Sequence, residues 1–249
     1  MRFIDWETKT YLDQYFPENK VSRDEIEILK FIRRFLVGYK KHFNKMLDFG
    51  AGPVVHRLFP FAPYVNKIYI AEFLENSLKE VLNWKRNNNG QRNWNSYIRK
   101  VLEIENMRSD SRSIKKRAIL TRKKISGLIE ADIFNKKPLG KGSQFPLVTS
   151  FYCLDAVTNS KIIWFKLMQH LSSMVCHDGW LIISASRNIN YSLLGNKKMP
   201  NVRLKETDLR FALKKLGYKV DTIEIKVINA RMWSQVGITS VMIAKAQKI

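Results

Sequence analysis

The chain has 249 residues, 45% of them hydrophobic, which is enough to bury one substantial core and demands no second domain. Its 44 Lys and Arg against 22 Asp and Glu give a formal net charge of +22, a surface that attracts anions, whether nucleic acid, acidic lipid or an acidic metabolite, without choosing among them. Met1 to Glu7 carries acids where a signal peptide needs an apolar stretch, and no apolar run is long enough to cross a membrane, so a soluble cytoplasmic protein is expected.

In chain order, Asp24 to Leu36 places Ile26, Ile28, Leu29, Ile32, Phe35 and Leu36 at helical spacing. Met46 to Val55 then reads as an apolar strand entering the turn Gly50-Ala51-Gly52-Pro53 and a helix beyond it, with Pro53 at the first helical position. Lys67 to Ala71 is a second strand ending in Glu72, close to the offset of roughly 20 residues at which such folds place an acid for ribose hydroxyls. Glu72 also suits the first turn of the helix Asn76 to Trp84. Lys85 to Ser126 is polar, basic and marked by tryptophan, and reads as an insertion with irregular structure and one helix. Its cluster Arg108, Arg112, Lys115, Lys116, Arg117, Arg122, Lys123 and Lys124 alternates with apolar residues, as in a helix with a solvated basic face or an anion-binding surface. Gly127 to Ile133 and Pro146 to Tyr152 read as the third and fourth strands, Ile162 to Val175 as a helix, and Trp180 to Ser184 as the fifth strand after the turn His177-Asp178-Gly179. A helix from Lys205 to Leu216, closed by Gly217, precedes strands at Asp221 to Ile228 and Ile238 to Ala244, an antiparallel hairpin on the sheet edge.

The glycine turn selects the ligand. A dinucleotide fingerprint needs a third glycine where Val55 stands, so a pyrophosphate is disfavoured. S-adenosylmethionine carries no phosphate, and its amino-acid end needs only a bare turn with exposed backbone N–H groups. Cys153 and Cys176 lie in apolar surroundings and read as reduced thiols, and His42, His56, His170 and His177 lack metal-ligand spacing, so no metal is expected.

These motifs resemble the small-molecule methyltransferase family that contains nicotinamide, phenylethanolamine and thioether S- or N-methyltransferases. The resemblance runs from Tyr11-Leu12-Asp13-Gln14-Tyr15-Phe16 (an N-terminal tyrosine lid) through Leu47 to Pro53 and Glu72 to Leu78. It continues with Trp84, Trp94, Ala131-Asp132-Ile133, Pro138-Leu139-Gly140 and Cys153-Leu154-Asp155-Ala156. It implies an α/β, Rossmann-like class I methyltransferase fold: one domain over residues 1–249, a mostly parallel seven-stranded sheet, a C-terminal antiparallel hairpin, helices on both faces and a lid with its helix over 1–40. The implied cofactor is S-adenosyl-L-methionine, held by Tyr11, Phe16, Gly50, Ala51, Gly52, His56, Glu72, Phe73, Ser77, Asp132, Ile133 and Phe151. Phe16 and His56 stand where the family usually shows tyrosine.

The acceptor side departs from the family. The carboxylate that amine-methylating relatives place after the fifth strand corresponds to Ala185, and a second acid near the last hairpin corresponds to Trp233. Tyr152, Ala185, Ser186, Arg187, Asn190, Tyr191, Asn201 and Arg231 are the implied substrate residues. Without the acids they suit a neutral or anionic small molecule. Direct displacement from a sulfonium needs position and dryness more than a strong base. Tyr15, Tyr152 and Tyr191 are the candidate hydrogen-bond partners for the nucleophile. The expected activity is N-methylation of such a small acceptor, of a kind found in secondary metabolism. The rival readings are an RNA methyltransferase using the basic surface and a non-catalytic S-adenosylmethionine-binding protein.

Overall fold

A computed structural model describes residues 7–249, so the acidic start Met1 to Trp6 lies outside the described residues. Helices α1 (Thr8–Tyr15) and α2 (Arg23–Tyr39) lead into strand β1 (Phe43–Phe49). Then follow β2 (Val65–Glu72), α3 (Glu75–Arg86), α4 (Asn95–Ile104), α5 (Ser111–Lys124), β3 (Ile125–Glu130) and β4 (Phe145–Phe151). The chain continues through α6 (Lys161–Ser172), β5 (Val175–Ser186), the short strands β6 (Tyr191–Leu194) and β7 (Lys197–Pro200), α7 (Glu206–Lys215), β8 (Glu224–Asn229) and β9 (Ser240–Gln247).

Seven strands form one sheet in the order β3-β2-β1-β4-β5-β9-β8. The first five are mutually parallel, and β9 runs antiparallel to both β5 and β8. Alternate residues of each strand feed two cores. Met46, Ile68, Leu147 and Ile182 pack against α2, α4 and α5, whereas Leu47, Val148, Leu181 and Ile183 pack against α6 and α7. The central strands are buried on both faces, which is why they read as near-continuous apolar runs. Connections leave β1 and β4 toward opposite edges of the sheet, so a crevice opens at their carboxyl ends.

The structure corrects three expectations and adds one element. The glycine turn is followed by two single-turn 3-10 segments, His56–Leu58 and Ala62–Tyr64, instead of an α-helix, because Pro60 and Pro63 lack the N–H that would propagate one and bias the residue before each away from helix. Residues 85–126 hold two helices, α4 and α5, packed into the body. Tyr97, Ile98, Val101 and Leu102 of α4 are buried, and Arg117 of α5 turns inward to meet Glu105 and the Phe59 carbonyl at 3.0 Å. Arg122 donates to the Trp84 carbonyl at 2.8 Å, so only part of the basic cluster is a solvated face. The third strand ends at Glu130, leaving Asp132 in the loop beyond it. The hairpin β6–β7 was not read from the sequence, although Gly195-Asn196 between Leu194 and Lys197 is a two-residue hairpin turn.

Candidate active site

A cavity of about 230 Å³ occupies the crevice, lined by the segments that follow β1, β2, β3 and β4 together with Ser186 at the end of β5. Its floor is the turn after β1. Gly50 has φ +66°, and a Cβ there would fall 2.2 Å from Cys153 Sγ, so both backbone conformation and space exclude any side chain. That contact is the physical link between the glycine turn and the Cys-Leu-Asp-Ala segment. Gly52 N–H donates to Glu72 Oε2 at 2.8 Å, while Phe73 and Leu74 N–H donate to Oε1 at 2.8 and 2.9 Å. Glu72 therefore ties the first turn to the second. Burial raises its pKa against these three donors.

Beyond β3, Asp132 Oδ1 accepts from Phe134 N at 2.9 Å, folding Ala131 to Phe134 over the cavity. His170 Nδ1 meets the Ile133 carbonyl at 2.8 Å from behind. Phe151 closes the next side, with the Arg57 guanidinium 4.9 Å from its ring centre. Tyr11, Phe16, Gly50, Ala51, Gly52, Glu72, Phe73, Asp132, Ile133 and Phe151 thus all line one cavity. His56 and Ser77 do not. Both are fully buried, and His56 is packed among Phe16, Trp94 and Tyr97 with Nε2 3.0 Å from Glu25 Oε1. Burial lowers the His56 pKa to about 4 against the pull of Glu25, so the imidazole is neutral at pH 7.

The roof comes from α1 and the β6–β7 hairpin. Tyr15 donates its hydroxyl hydrogen to the Leu193 carbonyl at 2.6 Å, the Gln14 Nε2 amide donates to the same carbonyl at 2.7 Å, and Arg92 donates to the Leu12 carbonyl at 2.9 Å. Tyr15 therefore contributes its ring to the cavity while its hydroxyl fastens the lid, with its pKa pushed up to about 12 by burial. Tyr191 lies outside, 40% exposed, with Lys198 Nζ 3.9 Å from its ring centre. Tyr152 is the remaining candidate: its φ is +53°, a strained value for a bulky side chain, and its buried hydroxyl has no partner among the described residues. Burial first, then Asp24, Glu25 and Asp155, raise its pKa well above the usual phenol range, so it is a hydrogen-bonding group and not a base.

Several expected substrate residues are elsewhere. Ala185 points into the opposite core with Ile183, because side chains alternate along β5 and Ser186 takes the cavity side. Arg187 leaves the cavity for an ion pair with Glu206 at 2.9 Å, and Asn190 and Arg231 are exposed. Ser186 and Asn201 line the cavity. Asp155 accepts Ser186 N–H at 2.7 Å through Oδ2. Its Oδ1 and the Asn201 Oδ1 are buried without partners among the described residues. Burial pushes the Asp155 pKa up to about 6 against the Ser186 donor.

Three charged lining residues escaped the sequence reading, Asp24, Glu25 and Arg57, together with uncharged ones such as Ser192, Leu194, Met199 and Ile238. Glu25 and Arg57 form a buried two-pronged pair, Nε to Oε1 at 3.0 Å and Nη2 to Oε2 at 2.8 Å. Burial would raise the Glu25 pKa, but Arg57 and His56 outweigh it and hold the carboxyl at about 2. Asp24 accepts from Trp233 Nε1 at 3.1 Å. In the sequence, both acids look like first-turn helix residues; the one available signal was an arginine inside an apolar run, Val54 to Phe61.

The model of the NNMT/PNMT/TEMT family matches residues 3–249. Phenylethanolamine N-methyltransferase from Homo sapiens is 26% identical over 209 residues, covering 82% of this chain and 73% of the relative. Nicotinamide N-methyltransferase from Sus scrofa is 20% identical over 223 residues, covering 86% and 83%. In fold, the chain is similar to the N-methyltransferase NodS from Bradyrhizobium japonicum WM9, solved with S-adenosyl-L-homocysteine, at a TM-score of 0.57, 11% identity and coverage of 97% and 98%. The chain belongs to the NNMT/PNMT/TEMT family of S-adenosylmethionine-dependent methyltransferases.

Proposed function

We propose that this chain methylates a nitrogen of a small molecule, with the cofactor over the Gly50 turn and the acceptor between Tyr152, Asp155, Asn201 and the lid. The observation that carries the reading is the set of buried, unpartnered polar atoms in the cavity, Tyr152 OH, Asp155 Oδ1 and Asn201 Oδ1. A buried polar atom costs free energy unless something bonds it, and two of these three are pure acceptors that suit a donor-bearing ligand. The residues fit the cofactor as well: a side-chain-free turn for the methionine end, Glu72 for the ribose, Asp132 and Ile133 for the adenine. Arg57, the one lysine or arginine lining the cavity among the described residues, suits the carboxylate where the tyrosine hydroxyls are missing at Phe16 and His56.

When bound, S-adenosylmethionine supplies an electrophilic methyl whose transfer to a nitrogen lone pair leaves the carbon–sulfur electrons on sulfur and positive charge on nitrogen. The protein's part is to hold and to dry. Tyr11, Tyr15, Phe16 and Trp233 exclude water and present aromatic faces that favour a cation. Tyr152 stays protonated and orients the acceptor by hydrogen bonding. Arg187 and Arg231 lie away from the cavity, so the part of the support for an anionic acceptor that came from these arginines is gone.

Calorimetry with S-adenosylhomocysteine, followed by mass-spectrometric detection of methyl transfer across a panel of small nitrogen nucleophiles, tests the reading. No binding of S-adenosylhomocysteine, or transfer only to RNA, would overturn it.

A further inference from the structure

The inference rests on the reading just given; the family resemblance implies that Ala185 and Trp233 stand where amine-methylating members carry acids. The structure shows where negative charge returns. Asp24 is 6% exposed, lines the cavity, and accepts the Nε1 hydrogen of Trp233 at 3.1 Å, so the residue that replaced the hairpin acid presents a carboxylate from α2 instead. Among the described residues no lysine, arginine or histidine pairs with Asp24, because Arg57 and His56 are both turned to its neighbour Glu25. Its position in the first turn of α2, with Ser22 as the capping residue, and the Trp233 hydrogen bond lower the cost of the charge without neutralising it. A buried carboxylate without a counter-ion, facing a cavity, calls for a cationic ligand.

The walls around it agree. The Tyr15 and Trp233 rings are 5.4 Å apart, and Tyr11 lies 5.3 Å from Tyr15, a set of aromatic faces of the kind that receives an alkylated nitrogen. Across the cavity, Asp155 Oδ1 and Asn201 Oδ1 are unpartnered acceptors. We infer that Asp24 is the specificity-determining acid of this enzyme, the counter-charge for an acceptor nitrogen that is or becomes cationic, with Trp233 as its positioning residue.

The test measures binding to the chain loaded with S-adenosylhomocysteine, using two matched pairs of probes, phenylethylammonium against 2-phenylethanol and 1-methylnicotinamide against nicotinamide. The wild type should bind at least one cation about tenfold or more tighter than its neutral counterpart, as expected of a hydrogen-bonded charge. Asp24→Asn, which keeps an oxygen for Trp233, should reduce that ratio to about threefold or less with S-adenosylhomocysteine affinity unchanged, and Asp24→Glu should keep part of it. Trp233→Phe should weaken the cation selectively. Should Asp24→Asn fail to bind S-adenosylhomocysteine, Asp24→Ser replaces it. The inference is overturned if the wild type prefers neither cation, or if a folded Asp24 variant keeps the full ratio. Absence of S-adenosylhomocysteine binding by the wild type would instead overturn the methyltransferase reading beneath it.

Discussion

Replacing Glu25 by Gln isolates one buried charge. The pair it forms with Arg57 is two-pronged, at 3.0 and 2.8 Å, with Glu25 2% and Arg57 4% exposed. The variant strands a guanidinium among the rings of Phe16, Phe151 and Tyr152, whose centres lie 5.5, 4.9 and 5.2 Å from it. Breaking such a pair from one side costs about 3–5 kcal/mol, and for a domain of this size each kcal/mol moves Tm by about 2–4 °C, so thermal unfolding should drop by about 6–20 °C. Glu25→Gln/Arg57→Met removes both charges and fills the space with a thioether that suits aromatic neighbours. It should recover more than half of that loss, and the double-mutant cycle gives the coupling directly. The pH dependence follows in sign. Glu25 is held at about 2 against an ordinary 4.5, so its stabilisation is present above pH 4.5, is lost as pH falls toward 2, and should be missing from the acid limb of the variant. Calorimetry on the double variant then separates two roles of Arg57: restored Tm with S-adenosylhomocysteine bound about tenfold or more weaker makes Arg57 a ligand for the cofactor's carboxylate. A Tm loss under about 2 °C in Glu25→Gln, or a double variant no better than the single, would refute the coupling.

Glu72→Gln puts an amide NH₂ against either Gly52 N–H or the Phe73 and Leu74 pair, an unmet donor worth about 1–3 kcal/mol, so S-adenosylhomocysteine affinity should fall about tenfold by calorimetry while an unchanged Kd would remove Glu72 from the site. Glutamine at Lys115, Lys116, Lys123 and Lys124, which lie on the outer side of α5 away from the cavity, should leave initial rates on a small acceptor within about twofold, given the weak contribution of solvated charges. A collapse of those rates would place the basic helix in the reaction. Raising the salt concentration should speed association of the net-positive cofactor with this +22 chain, since screening removes repulsion, and stopped-flow rates that fall with salt would contradict it.

Most of the fold was legible because parallel strands buried on both faces announce themselves as apolar runs; Leu47, Phe49, Val148 and Ile183 were placed correctly for that reason. The 3-10 path after Gly52 departs from the helix that the glycine turn implies, because Pro60 and Pro63 are the stronger local constraint. Ten of the twelve residues implied for the cofactor line one cavity, readable because most of them sit at fixed offsets from strand ends. The other side was readable only in part: Tyr152, Ser186 and Asn201 line the cavity as expected. The remaining members come from α1, α2, the β6–β7 hairpin and the Trp233 segment, brought together only by tertiary packing, and the facing of Ala185 against Ser186 turns on a one-residue register that motif matching does not resolve.

Charge inside this molecule opposes charge outside it. Five of the cavity-lining residues, Asp24, Glu25, Glu72, Asp132 and Asp155, are acids, and among the described lining residues Arg57 is the one arginine or lysine, within a chain whose formal net charge is +22. The two populations act over different ranges. Surface cations are spread through water and screened within about 10 Å at 0.1 M salt, whereas the cavity acids, all buried but Asp132, act at contact distance in a medium of lower dielectric. A polyanion drawn to the exterior therefore meets a cavity rich in its own sign, roofed by Tyr11, Tyr15 and Phe16. A small cation meets weak repulsion on approach and strong compensation on arrival. The basic surface and the acidic cavity thus present opposite charge to a ligand.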